Sequence, residues 1–136
     1  MHTLLLAHAA VTWMLVGLIW VIQLVHYPLF KYADEARWSA FHAAHARRIT
    51  WLVAILMPLE LGLACLLVIQ APSPATIIGL LLALAIWLVT AFVQVPAHAR
   101  LADGFDPEIH AALVRGNWIR TLLWTLRGLL AAILLL

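Results

Sequence analysis

Residues 49–69 read ITWLVAILMPLELGLACLLVI, an apolar run long enough to cross a bilayer that carries a single ionisable side chain, Glu60. A charge at that depth costs a few kcal/mol, so Glu60 is expected to face a partner, a cavity or a ligand rather than lipid. The last run, 118–136 (WIRTLLWTLRGLLAAILLL), has the same character, with Arg127 near its middle and Arg120 one turn in. Apolar runs that each bury a charge predict helices packed around a polar interior.

Two further runs, 3–30 and 75–96, complete a set of four. A chain of 136 residues with 66% hydrophobic content and a mean hydropathy of +1.05 lies outside the range of soluble domains. The fold expected is all-α: one transmembrane domain over 1–136, an integral membrane four-helix bundle with spans at 3–30, 49–69, 75–96 and 118–136. The first run lacks a basic leader and a small-residue cleavage site, and is read as a retained helix. Gln70-Ala71-Pro72-Ser73-Pro74 forms a tight uncharged turn between the second and third spans.

The other two connections, 31–48 and 97–117, hold Lys31, Arg37, Arg47, Arg48, Arg100 and Arg115, and nothing basic competes from the opposite end. The positive-inside rule therefore puts both connections in the cytoplasm, both termini on the non-cytoplasmic side, and the protein in the cell (inner) membrane. Trp38, Trp51 and Trp118 fall at the cytoplasmic boundary, where aromatic belts form. Each connection is expected to contain a short amphipathic helix, started by Asp34-Glu35 in one and by Asp106-Pro107-Glu108 in the other.

The two connections echo each other. His42-Ala43-Ala44 with Arg47 recurs as His110-Ala111-Ala112 with Arg115, and Gln23-Leu24-Val25-His26-Tyr27-Pro28 is loosely matched by Gln94-Val95-Pro96-Ala97-His98. Two parallel hairpins related by an axis along the membrane normal would produce such an echo.

At about 100° per residue, each span gathers its polar residues on one face. These faces are His8, Thr12, Gln23 and His26; His42, His45 and Glu60; Trp87, Thr90, Gln94 and His98; and Asn117, Arg120, Trp124 and Arg127. Glu60 and Arg127 fall at similar depth, roughly 15 Å from the cytoplasmic side at 1.5 Å per residue, which predicts an intramembrane ion pair. Nearer the cytoplasm, His26, His42, His45, His98, Asn117 and Arg120 are the candidate reactive residues. Gln23, Gln94, Trp87 and Trp124 are the candidate ligand-binding residues, the tryptophans as stacking faces.

Imidazoles at one depth suit a b-type haem, a transition metal, a quinone or proton transfer. His26 and His98 are the candidate axial or metal-ligating pair, and a lipophilic small molecule held without metal is the alternative. A lone Cys65 excludes an internal disulfide and an iron–sulfur cluster, and the absence of a basic run sets nucleic acid aside. Nucleophile motifs and phosphate-binding glycine loops are absent, which leaves hydrolase and phosphotransferase readings unsupported.

Gln94-Val95-Pro96-Ala97-His98-Ala99-Arg100-Leu101-Ala102, followed by Asn117-Trp118-Ile119-Arg120-Thr121, resembles the end of small four-helix bacterial membrane proteins related to the anthrone oxygenase-like family. The resemblance covers the last third of the chain and the general four-span plan. It implies oxidation of a lipophilic aromatic to a quinone without a known metal or flavin, with Asn117, Trp118 and Arg120 as the shared polar motif. Three functions stay open from the sequence. They are an oxidoreductase or oxygenase-like protein acting on a lipophilic aromatic or quinone, a haem- or metal-binding membrane subunit, and a non-catalytic accessory or assembly subunit. Partners beyond the lipid bilayer, whether a homo-oligomer or a larger membrane complex, stay equally open; no GxxxG pair marks a close helix dimer.

Overall fold

A computed structural model describes residues 1–136; it is helical, without a strand. Its long helices are α1 (His2–Tyr32), α2 (Glu35–Gln70), α3 (Pro74–Leu101) and α4 (Pro107–Ile133). The first three are long and apolar enough to cross a membrane. The helical part of α4 falls outside that group, since Arg115, Asn117, Arg120 and Arg127 interrupt its apolar surface.

The separate connection helices expected from the sequence do not form. Glu35–Arg37 makes one 3₁₀ turn that runs straight into Trp38–Gln70, and Pro107–Ile133 continues unbroken from its cap. No proline lies between Trp38 and Ile49 or between Glu108 and Trp118, and the single glycine there, Gly116, is carried within the helix, so neither helix stops at the apolar boundary. The start signals themselves act as expected. Asp34 accepts the Ala36 N–H at 3.0 Å, and Asp106 accepts those of Glu108 and Ile109 at 2.8 and 3.0 Å. At 1.5 Å per residue the 36 residues of α2 extend roughly 54 Å, well beyond a hydrocarbon slab of about 30 Å. Its basic end therefore continues past the apolar stretch.

Each helix packs against two others, α1 and α3 both lying against α2 and α4, which places α1 opposite α3 and α2 opposite α4. The interior is layered. Furthest from the basic end lie His8, Thr12, Glu60 and Arg127; next comes an apolar layer of Leu15, Val16, Ile19, Met57, Ile86 and Trp124. A polar layer around Gln23, Gln94, Asn117 and Arg120 follows. Ile22, Tyr27, Phe30, Trp38, Leu101 and Leu113 close the basic end. Trp38 belongs to this closure rather than to an aromatic belt: it is 2% exposed and its indole N–H donates to the Leu101 carbonyl at 2.6 Å. Trp51 and Trp118 do face outward.

α1 and α3 share an irregularity. Ile22–His26 and Thr90–Gln94 are π turns, in which Tyr27 and Val95 donate to carbonyls five residues back, and each is followed two residues later by a proline, Pro28 or Pro96. Proline alone does not demand this, because Pro58 sits inside α2 with no such turn. Ile22 and Thr90, Pro28 and Pro96, His42 and His110, and Arg47 and Arg115 are each 68 residues apart. One offset thus joins the backbone irregularities and the prolines to the His-Ala-Ala half of the sequence echo, whereas Gln23 and Gln94 are 71 residues apart and His26 and His98 are 72 apart.

Candidate functional site: a polar cavity beneath the basic end

The deeper polar layer is a closed ion cluster. Arg127 donates to the Glu60 carboxylate, to the Gly79 carbonyl and to His8 Nε2 (3.0 Å for the last), and the Thr12 hydroxyl donates to Glu60 Oε1 at 3.2 Å. Glu60 and Arg127 are 0% and 1% exposed. All four helices contribute, and the close approach depends on Gly79, where an added Cβ would stand 3.2 Å from Arg127 Nη1. The adjoining void of about 10 Å³ is no larger than one water molecule requires. This cluster has no room for an organic ligand, and the apolar layer above separates it from the next.

That next layer surrounds a cavity of about 250 Å³. Every helix lines it: Ile22 and Tyr27 from α1, Ala46, Ile49, Thr50 and Val53 from α2, Thr90, Gln94, Val95 and His98 from α3, and Arg120 from α4. Along one wall the Tyr27 hydroxyl and His98 Nε2 are hydrogen-bonded at 2.8 Å, and His98 Nδ1 meets His42 Nε2 at 3.1 Å. A second pair, His26 Nε2 and His45 Nδ1 at 2.6 Å, stands beside it, with the His45 and His98 rings stacked at 5.5 Å. Arg120, the α4 residue of the lining, donates through Nη1 to Asn117 Oδ1 at 3.1 Å, and Asn117 in turn donates to Gln23 Oε1 at 2.9 Å.

Several polar atoms in this layer have no partner. Both amide atoms of Gln94, Nε of Arg120 and Nε2 of His45 are buried without a hydrogen bond. Gln94 is 2% exposed and Arg120 6%. An unsatisfied buried polar group costs about 1–3 kcal/mol, more when charged. Gln94 and Arg120 both line the cavity, and unmet groups on a cavity wall are where a polar ligand gains most.

Of the residues singled out in the sequence, His26, His42, His45, His98, Gln23, Gln94, Asn117 and Arg120 all come together in this layer. Trp87 and Trp124 do not line the cavity; Trp124 belongs to the apolar layer below, with Trp87 packed against it. The pairing of His26 with His98 as metal or haem ligands is not what the structure builds. Both nitrogens of His98 are engaged by Tyr27 and His42, and His26 faces His45. No group of three or more His, Cys, Asp or Glu side chains is arranged to hold a metal ion.

Tyr27 and His110 entered the site unannounced. In a regular helix His26 would share the inward face of Thr12 and Gln23, but the π turn inserts one residue and carries all that follows back by about 100°. Tyr27 is buried as a result, and His26 is left half-buried. His110 Nε2 pairs with the Tyr27 carbonyl at 2.8 Å and fixes that end of α1. The proline two residues after each π turn was the available signal.

No family model, curated protein or solved structure matches the chain.

Proposed function

We propose that this is a four-span protein of the inner membrane, termini outside, that takes a lipophilic aromatic or quinone-like molecule into the cavity between its helices near the cytoplasmic face. The observation that carries this reading is Gln94, whose buried amide lines a cavity of 250 Å³ with donor and acceptor both unmet. A quinone carbonyl would accept from the amide nitrogen and a ring hydroxyl would donate to its oxygen. The apolar walls Ile22, Ile49, Val53 and Val95 would cover the ring faces. A phenolic proton has a hydrogen-bonded path away from the ligand through Tyr27, His98 and His42. The resemblance to anthrone oxygenase-like proteins points to oxidation of such a ring, and Asn117 and Arg120, which it singles out, lie in the same layer. Support for four spans comes from the gathering of Lys31, Arg37, Arg47, Arg48, Arg100 and Arg115 at one end and from the apolar remainder of α4 beyond Arg127.

The test is binding of 1,4-naphthoquinone to the full chain in nanodiscs, followed by quenching of tryptophan fluorescence. Saturable binding, weakened at least tenfold by Gln94→Leu with the helical spectrum unchanged, is expected. Unsaturable quenching identical in the two proteins, as plain partition into lipid gives, would refute the reading. A visible haem spectrum from the purified protein would do so in favour of the haem alternative.

A further inference from the structure

Arg120 and Arg127 are the two buried cations, and the protein treats them differently. Arg127 is neutralised by Glu60 and further bonded to Gly79 and His8. Arg120 has only neutral side-chain neighbours to bond, Asn117 at 3.1 Å and the Tyr27 phenol beside it, with an unpartnered Nε, and no carboxylate lies within ion-pair distance. Glu60 is the only buried acid and is already committed; the other five, Asp34, Glu35, Asp103, Asp106 and Glu108, sit in the connections or at helix starts. A buried guanidinium without a counter-ion is strongly disfavoured, and this one lines the cavity.

We infer that the ligand of this cavity is held as an anion, a planar ring bearing an acidic oxygen such as a hydroxyquinone, a phenolate or an aromatic carboxylate, with Arg120 as its counter-ion. The inference rests on the reading of the cavity as an aromatic site and adds the charge. A neutral quinone carbonyl would satisfy the guanidinium N–H but leave its charge uncompensated, whereas an oxyanion does both. The route in fits an anionic amphiphile. The cavity shares Ala46 and Thr50 with an outer groove on α2 lined by Arg47, Trp51 and Ala54. Arg47 thus places a second cation at the rim, and Trp51, 71% exposed, offers an aromatic face there.

The experiment compares 2-hydroxy-1,4-naphthoquinone, an acidic enol that is anionic at neutral pH, with its neutral 2-methoxy analogue, on the full chain in nanodiscs of zwitterionic lipid. Wild type is expected to bind the hydroxy compound roughly tenfold or more tighter than the methoxy compound. Arg120→Gln should abolish that preference while still binding the methoxy compound, and Arg120→Lys, which keeps the charge, should retain part of it. Equal binding of the two compounds by wild type overturns the anionic ligand and leaves the aromatic cavity standing. A preference that survives in Arg120→Gln overturns Arg120 as the counter-ion, and saturable binding of neither compound overturns both readings together.

Discussion

Replacing Arg127 with Met would strand the Glu60 carboxylate at a position that is 0% exposed. Its Oε1 would keep the Thr12 hydroxyl at 3.2 Å and His8 Nε2 at 3.5 Å, while Oε2 has no partner even in the intact protein. Removing one member of a buried pair costs about 3–5 kcal/mol, because the survivor is left uncompensated. The Gly79 carbonyl and His8 Nε2 would lose a donor as well, adding about 1 kcal/mol each. Against a total stability of about 5–15 kcal/mol, Arg127→Met should bring the fold close to its limit. Glu60→Met strands a guanidinium instead and should cost about as much. The double variant Glu60→Met/Arg127→Met removes both charges and fills the space with flexible apolar chains, so it should lie within about 2 kcal/mol of wild type. The singles would then sum to at least about 6 kcal/mol against about 2 for the double, a coupling of about 4 kcal/mol or more. Denaturant titration of all four proteins in mild detergent, read by far-ultraviolet circular dichroism, measures it. Strictly additive single effects, or singles as stable as wild type, would falsify the view that each charge is buried on account of the other.

Two other substitutions probe the upper layer. At Gly116 an added Cβ would stand 2.8 Å from Val93 Cγ1 and 3.2 Å from the Gln94 amide nitrogen. Gly116→Ala should therefore lose about 1–3 kcal/mol to overpacking against a helix-propensity gain of about 1, and should weaken naphthoquinone binding by displacing Gln94. A thermal melt at or above wild type together with unchanged binding would contradict this. Trp38→Phe removes the N–H that meets the Leu101 carbonyl at 2.6 Å and should cost about 1–3 kcal/mol. Hydrogen exchange should rise over residues 95–101; protection equal to wild type there would show that the bond holds nothing together.

Helix class and the layout of polar residues are legible in the chain because they follow from local rules. Apolar runs set the helices, Asp34 and Asp106 start two of them, and the 3.6-residue period gathers His, Gln, Asn and Arg on inward faces. That periodicity fails where the backbone leaves it. The π turn at Ile22–His26 exchanges His26 for Tyr27 on the buried face, and a period drawn through an ideal helix cannot see that exchange. The boundaries at Ile49 and Trp118 fail for another reason: hydropathy marks where apolar residues stop, whereas a helix stops only where its backbone hydrogen bonds find no successor.

By itself, then, the sequence determined that these helices exist, that each has a polar face, and that Glu60 and Arg127 lie at matching depth. The tertiary structure decided that α2 stands opposite α4, which is what sets Glu60 against Arg127 and closes that cluster. It also decided that Arg120, one polar layer nearer the basic end, faces a cavity with no acid to answer it. Depth along a helix is fixed by residue count, but which charge meets which depends on how the helices are arranged around the axis, and that arrangement is settled only by packing between segments distant in the chain.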